Sequence, residues 1–177
     1  MARRIFVAIP VSKLLQETIL LWEEQYANLP VRWLSEKNLH VTLIPPWYEE
    51  RVDAVCLKLQ AFRGMRASFG MEFTRVRFGP DEKNPRLIWA EGEVPRELLS
   101  LKDGIEEALG QHGEMRPFRL HLTLARFRPE TFSSFPTKKL DERVEWRERP
   151  ASFVLMESHL SPHGADYEVL KEITLAP

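Results

Sequence analysis

Leu39-His40-Val41-Thr42-Leu43 returns 81 positions later as Leu120-His121-Leu122-Thr123-Leu124. The chain has five histidines and seven threonines among 177 residues. At that composition a second chance copy of His-x-Thr-Leu arises in roughly one chain in a thousand. Inside each copy apolar and polar residues alternate, which is the period of a half-buried strand. Leu39, Val41 and Leu43 then point to a core while His40 and Thr42 share the other face. In the second copy Leu120, Leu122 and Leu124 point inward, and Arg119, His121 and Thr123 line the outer side. Residues two apart on a strand have α-carbons about 6.5 Å apart, so an imidazole and a hydroxyl can both reach one phosphate-sized group.

The sequence around the two copies supplies matching elements. Arg4 to Pro10 reads as an opening strand, and Ser12 to Asn28 as a helix with a serine N-cap and Leu14, Leu15, Ile19 and Trp22 at helical spacing. Val31 to Leu34 and Leu39 to Ile44 read as strands, the second stopped by Pro45-Pro46. A helix is predicted over Glu49 to Phe62, a hairpin over Ala67 to Phe78 and Arg86 to Val94, and a third helix over Pro95 to Gly110. Phe132 to Arg149 is charged and weakly periodic, and Ala151 to Leu160 with Tyr167 to Leu175 reads as a closing hairpin. The repeated order predicts an α+β fold in which two pseudo-symmetric lobes of antiparallel sheet, flanked by helices, enclose a central cleft carrying both His-x-Thr motifs. Residues 1–177 are read as a single bilobal domain, of a size that supports a core without cross-links.

Composition narrows the function. The 25 basic and 26 acidic side chains nearly cancel, so no global field draws in long nucleic acid, and any RNA contact must be local. Cys56 is the single cysteine and is read as a buried structural thiol, which excludes an internal disulfide and fits a reducing, cytoplasmic setting. The first apolar run is short and ends at Pro10, so it reads as a strand and not as a leader, and no membrane association is expected.

Two histidines facing each other across a cleft suit general acid and general base, since imidazole exchanges protons near neutrality. In phosphoester cleavage the attacking and leaving oxygens lie on opposite sides of phosphorus, which matches one histidine on each side. The threonine hydroxyls can hold equatorial oxygens, and an arginine can balance the growing charge. Each motif lacks the carboxylate or second histidine that completes a metal site, so no metal is expected there. His159 and His163 are four apart, but Pro162 and Gly164 argue for a turn, and both are read as surface residues.

With these residues in place, the chain resembles the two-histidine phosphoesterase superfamily, and most of all its RNA 2',3'-cyclic phosphodiesterase branch, also called 2'-5' RNA ligases. The resemblance spans the opening strand Arg4 to Pro10, the approach Val31 to Asn38, both motifs, the run His121-Leu122-Thr123-Leu124-Ala125-Arg126, and a tail of Glu157-Ser158-His159-Leu160 before Gly164 and Tyr167. It implies that His40 is the proton donor to the departing ribose 3'-oxygen, that His121 is the base for the attacking water, and that Thr42 and Thr123 bind the phosphate. Arg126 matches a family arginine and is expected to bind phosphate or ribose. Its odd spacing from His121 turns it to the wrong face of a regular strand, so it reaches the cleft only across a bulge or strand end. The implied reaction opens a 2',3'-cyclic phosphate to a 2'-phosphate without metal or cofactor, with a reverse 2'-5' ligation. The implied partners are RNA ends or small cyclic nucleotides, met by a monomer. Alternatives are a small-metabolite phosphodiesterase, as for ADP-ribose cyclic phosphate, and a nucleotide-binding module without turnover. Where family members carry an aromatic and a glycine after the first motif, this chain has Pro45-Pro46-Trp47, and Trp47 is either a base-stacking platform or an ordinary rim or core tryptophan.

Overall fold

The computed structural model describes residues 1–111, 116–162 and 164–177. In chain order they form β1 (Arg3–Pro10), α1 (Lys13–Glu23), β2 (Arg32–Trp33), β3 (His40–Glu49), α2 (Val52–Gln60), β4 (Met71–Gly79), β5 (Leu87–Gly92), α3 (Arg96–Leu109), β6 (Leu120–Arg126), β7 (Asp141–Glu148), β8 (Ser152–Ser161) and β9 (Gly164–Thr174). The strands make two antiparallel sheets, of order β3-β1-β8-β9 and β2-β6-β5-β4-β7. The units β1-α1-β3 and β5-α3-β6 correspond. In each, a strand leads through a helix to an antiparallel neighbour that carries a His-x-Thr motif.

Each of these helices leaves one sheet and packs on the other. α1 follows β1 yet lies against β7, where the Trp22 ring meets Trp146 edge-on at 5.8 Å. α3 follows β5 yet lies against β3, burying Leu98, Leu101 and Ile105. This exchange joins the core faces of both sheets into one connected apolar cluster. β1 is covered on both faces, with every residue from Ile5 to Ile9 at most 1% exposed. That burial explains its unbroken apolar run. Ile5, Val7 and Ile9 join the main cluster, while Phe6 and Ala8 form a second one with Val154 and Met156 on the opposite, cleft-facing side.

Helix signals act where the sequence puts them. The Ser12 hydroxyl accepts from the Leu15 N–H at 3.3 Å. Gly110 closes α3 in the left-handed conformation, at φ 66°.

Four expectations are corrected. The first helix ends at Glu23 and continues only as a 3-10 turn over Glu24–Tyr26, with Leu14 74% exposed and outside its buried face. β3 runs through Pro45 and Pro46 to Glu49, because it is an edge strand and the missing N–H groups cost no ladder bond on its open side. The charged stretch before Arg149 contains β7, also an edge strand, whose inward face sets Val144 and Trp146 between Glu142, which accepts from the Trp22 indole N–H, and the buried Glu148. Cys56 is only partly buried at the margin of the main cluster. His163 lies outside the described residues.

Candidate active site

β3 and β6 face each other where the two sheets meet, bringing both motifs to one cleft. Within each strand the burial alternates through the motif and then breaks at the same place. Leu43 and Ile44 are both buried, as are Leu124 and Ala125. The pairing explains this. Ala8 opposes Thr42 and Val7 opposes Ile44, which leaves Leu43 as an extra residue; Trp89 opposes Thr123 and Ile88 opposes Ala125, which leaves Leu124 extra. A bulge thus follows each threonine and reverses the inside-outside parity. Arg126 is returned to the face of His121 and Thr123, which removes the parity obstacle that a regular strand would impose.

The two imidazoles are held alike. His40 Nδ1 lies 2.7 Å from the carbonyl oxygen of Asn38, and His121 Nδ1 lies 3.1 Å from that of Arg119. A carbonyl only accepts, so Nδ1 carries the proton in both rings and Nε2 is the atom left for a ligand. Each ring also rests on an aromatic neighbour, Phe6 at 5.1 Å from His40 and Trp89 at 5.0 Å from His121. Tyr167 meets His40 edge-on at 5.1 Å, and its backbone N–H donates to the Asn38 side-chain oxygen at 3.3 Å.

Burial pushes the His40 pKa down to about 4, helped by the positive fields of Arg126 and of His121 and opposed by the Asn38 carbonyl. His121 is lowered for the same first reason, with Arg126 and Arg119 adding to it and the Arg119 carbonyl and Glu91 opposing. Arg126 therefore acts electrostatically on both rings.

A cavity of about 650 Å³ opens on the motifs, with Thr42, Pro45, Trp89, Phe118, Arg119 and His121 in its wall. A smaller one of about 260 Å³ lies on the Tyr167 side and includes Arg126. A larger, more open cavity of about 870 Å³, lined by Ser12, Glu72, Glu93 and Arg147 among others, touches neither histidine.

His40, Thr42, His121, Thr123 and Arg126 are thus gathered at one cleft. Trp47 is not. It opposes Ile5, packs on the main core cluster, and has its indole N–H 3.5 Å from Glu49 Oε2, so it is a rim tryptophan of the core side. Reading the sequence also missed Phe6, Trp89 and Tyr167 as ring partners of the histidines. Phe6 and Trp89 look like ordinary strand aromatics, and only the resemblance of the tail drew any attention to Tyr167.

A metal-like grouping among the described residues is Glu157, His159 and Glu168, whose ligand atoms lie within 4.8 Å of one another. Glu157 opposes Ile5 and so faces away from the cleft, and the Arg3 guanidinium already holds it. His159 bonds Glu168 at 3.2 Å in the same exposed ion-pair network. Neither cleft histidine belongs to such a grouping among the described residues.

A sequence profile of the 2'-5' RNA ligase superfamily matches residues 22–161. A Methanocaldococcus jannaschii protein described as an RNA 2',3'-cyclic phosphodiesterase is 27% identical over 183 residues, covering 96% of this chain and 99% of that one. A Thermus thermophilus protein of the same description is 30% identical over 152 residues, covering 78% of this chain and 72% of that one. E. coli LigT, in its crystal structure complexed with 3'-AMP, superimposes with a TM-score of 0.78 at 23% identity over 100% of both chains, a likeness of fold. No described helix is long and apolar enough to cross a membrane. The profile match takes in both bulged His-x-Thr strands, and the chain belongs to the 2'-5' RNA ligase superfamily.

Proposed function

We propose that this chain is an RNA 2',3'-cyclic phosphodiesterase, working as one bilobal unit over residues 1–177, that opens a terminal 2',3'-cyclic phosphate to a 2'-phosphate. The carrying observation is the pair of Nδ1–H to carbonyl bonds, which leaves two Nε2 atoms at one cleft. The names of the relatives, modest in identity but extensive in coverage, support the same reading.

In this mechanism the cyclic phosphate lies between the motif strands, with Thr42 and Thr123 donating to its equatorial oxygens. His121 Nε2 takes a proton from the attacking water, and His40 Nε2 gives one to the departing 3'-oxygen. Arg126 offsets charge growing on phosphorus-bound oxygens. His40 must be charged to donate. Burial disfavours that in the free protein, and an anionic phosphate placed beside it favours it, so substrate binding draws a proton from solvent onto His40. No metal takes part in this scheme. With an RNA 5'-hydroxyl attacking in place of water, the same displacement forms a 2'-5' phosphodiester as the bond to the 3'-oxygen breaks, which is 2'-5' ligation.

The test is product analysis after incubating purified protein in excess chelator with a nucleoside 2',3'-cyclic phosphate and with a cyclic-phosphate-ended oligonucleotide. The expected product is the 2'-phosphate. Loss of turnover on chelation with recovery on adding metal overturns the metal-free step. Binding without turnover on either compound makes the protein a nucleotide-binding module.

A further inference from the structure

We propose that Arg4 and Arg32, beside Arg126, form a second anion subsite for a phosphate on the 5'-oxygen of the nucleotide whose cyclic phosphate lies between the histidines. This inference rests on the function proposed above and deepens it, by naming the feature of the substrate that the enzyme selects.

The three arginines come from both lobes. Arg4 stands on β1 two residues before Phe6, the ring that rests on His40, so alternation puts it on the cleft face of the four-stranded sheet. Arg32 is the direct cross-strand partner of Arg126 and shares its face on the five-stranded sheet. All three line the cavity of about 260 Å³, whose remaining wall is Leu34, Leu160, Ala165 and Tyr167. Among the described residues its wall has no aspartate or glutamate. At about 30 Å³ per water the space holds a phosphate group and some of its solvent.

The surroundings leave Arg4 and Arg126 without a carboxylate partner among the described residues. The Arg4 guanidinium donates to the neutral Ser158 hydroxyl at 2.6 Å. The Arg32 guanidinium lies against Gly164, where φ is +116° and an added Cβ would stand 1.2 Å from Nη1. Position 164 thus has no side chain where the guanidinium sits. Three guanidinium groups lining one small cavity repel one another, and a phosphate both relieves the repulsion and accepts forked guanidinium hydrogen bonds.

Placement selects the 5'-oxygen. Arg126 lines this cavity and also acts on both imidazoles, and Tyr167 is shared between the cavity and His40. The subsite is therefore the immediate neighbour of the scissile phosphorus. With the 2'- and 3'-oxygens engaged there, the ribose position left to carry a phosphate is O5'. An RNA end presents a phosphodiester at that position, and a mononucleotide presents a 5'-monophosphate.

The test compares kcat/KM for adenosine 2',3'-cyclic phosphate, its 5'-phosphorylated form, and a dinucleotide ending in the cyclic phosphate. Wild type should prefer both phosphorylated substrates at least tenfold, and the two sources separate by which gains more. Arg4→Gln and Arg32→Gln should remove most of that preference and leave the unphosphorylated substrate within twofold, while Arg4→Lys restores part of it. Equal kcat/KM for all three in an active wild type overturns the subsite and spares the proposed function. Should nothing turn over, that function fails, and calorimetric binding of adenosine 2',5'-bisphosphate against the 2'-monophosphate still decides. Tighter bisphosphate binding that is lost in Arg4→Gln upholds the subsite, and equal binding overturns it.

Discussion

Pro45 and Arg126 hold the same backbone position in the two lobes, each the second residue past the bulge that follows its motif threonine. One lobe offers a ring without charge, and the other a guanidinium whose field reaches both histidines. The pseudo-symmetric site is therefore electrically lopsided. In the proposed reaction Arg126→Ala should lower kcat/KM by about 10²–10³-fold, the range for losing one preorganised donor to a developing charge. Arg126 is exposed, so urea unfolding should move by no more than about 0.5 kcal/mol. Activity within threefold of wild type would remove Arg126 from the site.

His40→Ala and His121→Ala should each cut kcat by about 10³-fold or more, and the double variant should be scarcely worse than either, since acid and base serve one displacement. Steady-state rates on a cyclic nucleotide measure this. Additive losses would show that the two rings contribute independently and not as a coupled acid–base pair.

Binding of inorganic phosphate or a 2'-nucleotide should take up protons near neutrality. Both imidazoles are neutral in the free protein because burial and Arg126 lower them, and an added anion raises them again. Affinity should accordingly rise as pH falls from about 8 to about 6. Calorimetry in two buffers of different ionisation enthalpy counts the protons, and a count of zero rules the linkage out.

Glu23 offers a stability test outside the cleft. Its burial pushes the carboxyl up to about 7, and its Oε1 has no hydrogen-bond partner. The folded state thus holds a proton that the unfolded state releases near pH 4.5, so stability falls as pH rises from there through about 7. Glu23→Gln should stabilise by roughly 1–3 kcal/mol at pH 8, with the gain shrinking towards pH 5. Urea titrations at the two pH values check it; an equal gain at both would assign the effect to packing.

The motif strands were legible because each has one wet and one dry face, which writes the period of two into the sequence. The edge strands were not. Pro45 and Pro46 end a central strand but not β3, and the charges of β7 resemble a loop because even its inward face carries Glu142 and Glu148 beside Val144 and Trp146. Arg126 was named by resemblance, yet the geometry that turns it inward, an extra residue at Leu124, shows only in the pairing to β5. Tyr167 stands far from both motifs in sequence, so its nearness to His40 is a product of the β3-β1-β8-β9 sheet order.

The crossing of α1 and α3 onto opposite sheets constrains how such a molecule could be divided. A half containing β1, α1 and β3 would carry the helix that belongs on its sister's sheet and would lack the one that belongs on its own. Such a fragment satisfies its apolar surface only by exchanging helices with a second half, as an interlocked pair. A half-length chain of this architecture would stand only as an interlocked dimer with one histidine per subunit, held together by concentration, whereas in the full chain the linkage between halves makes that embrace independent of concentration.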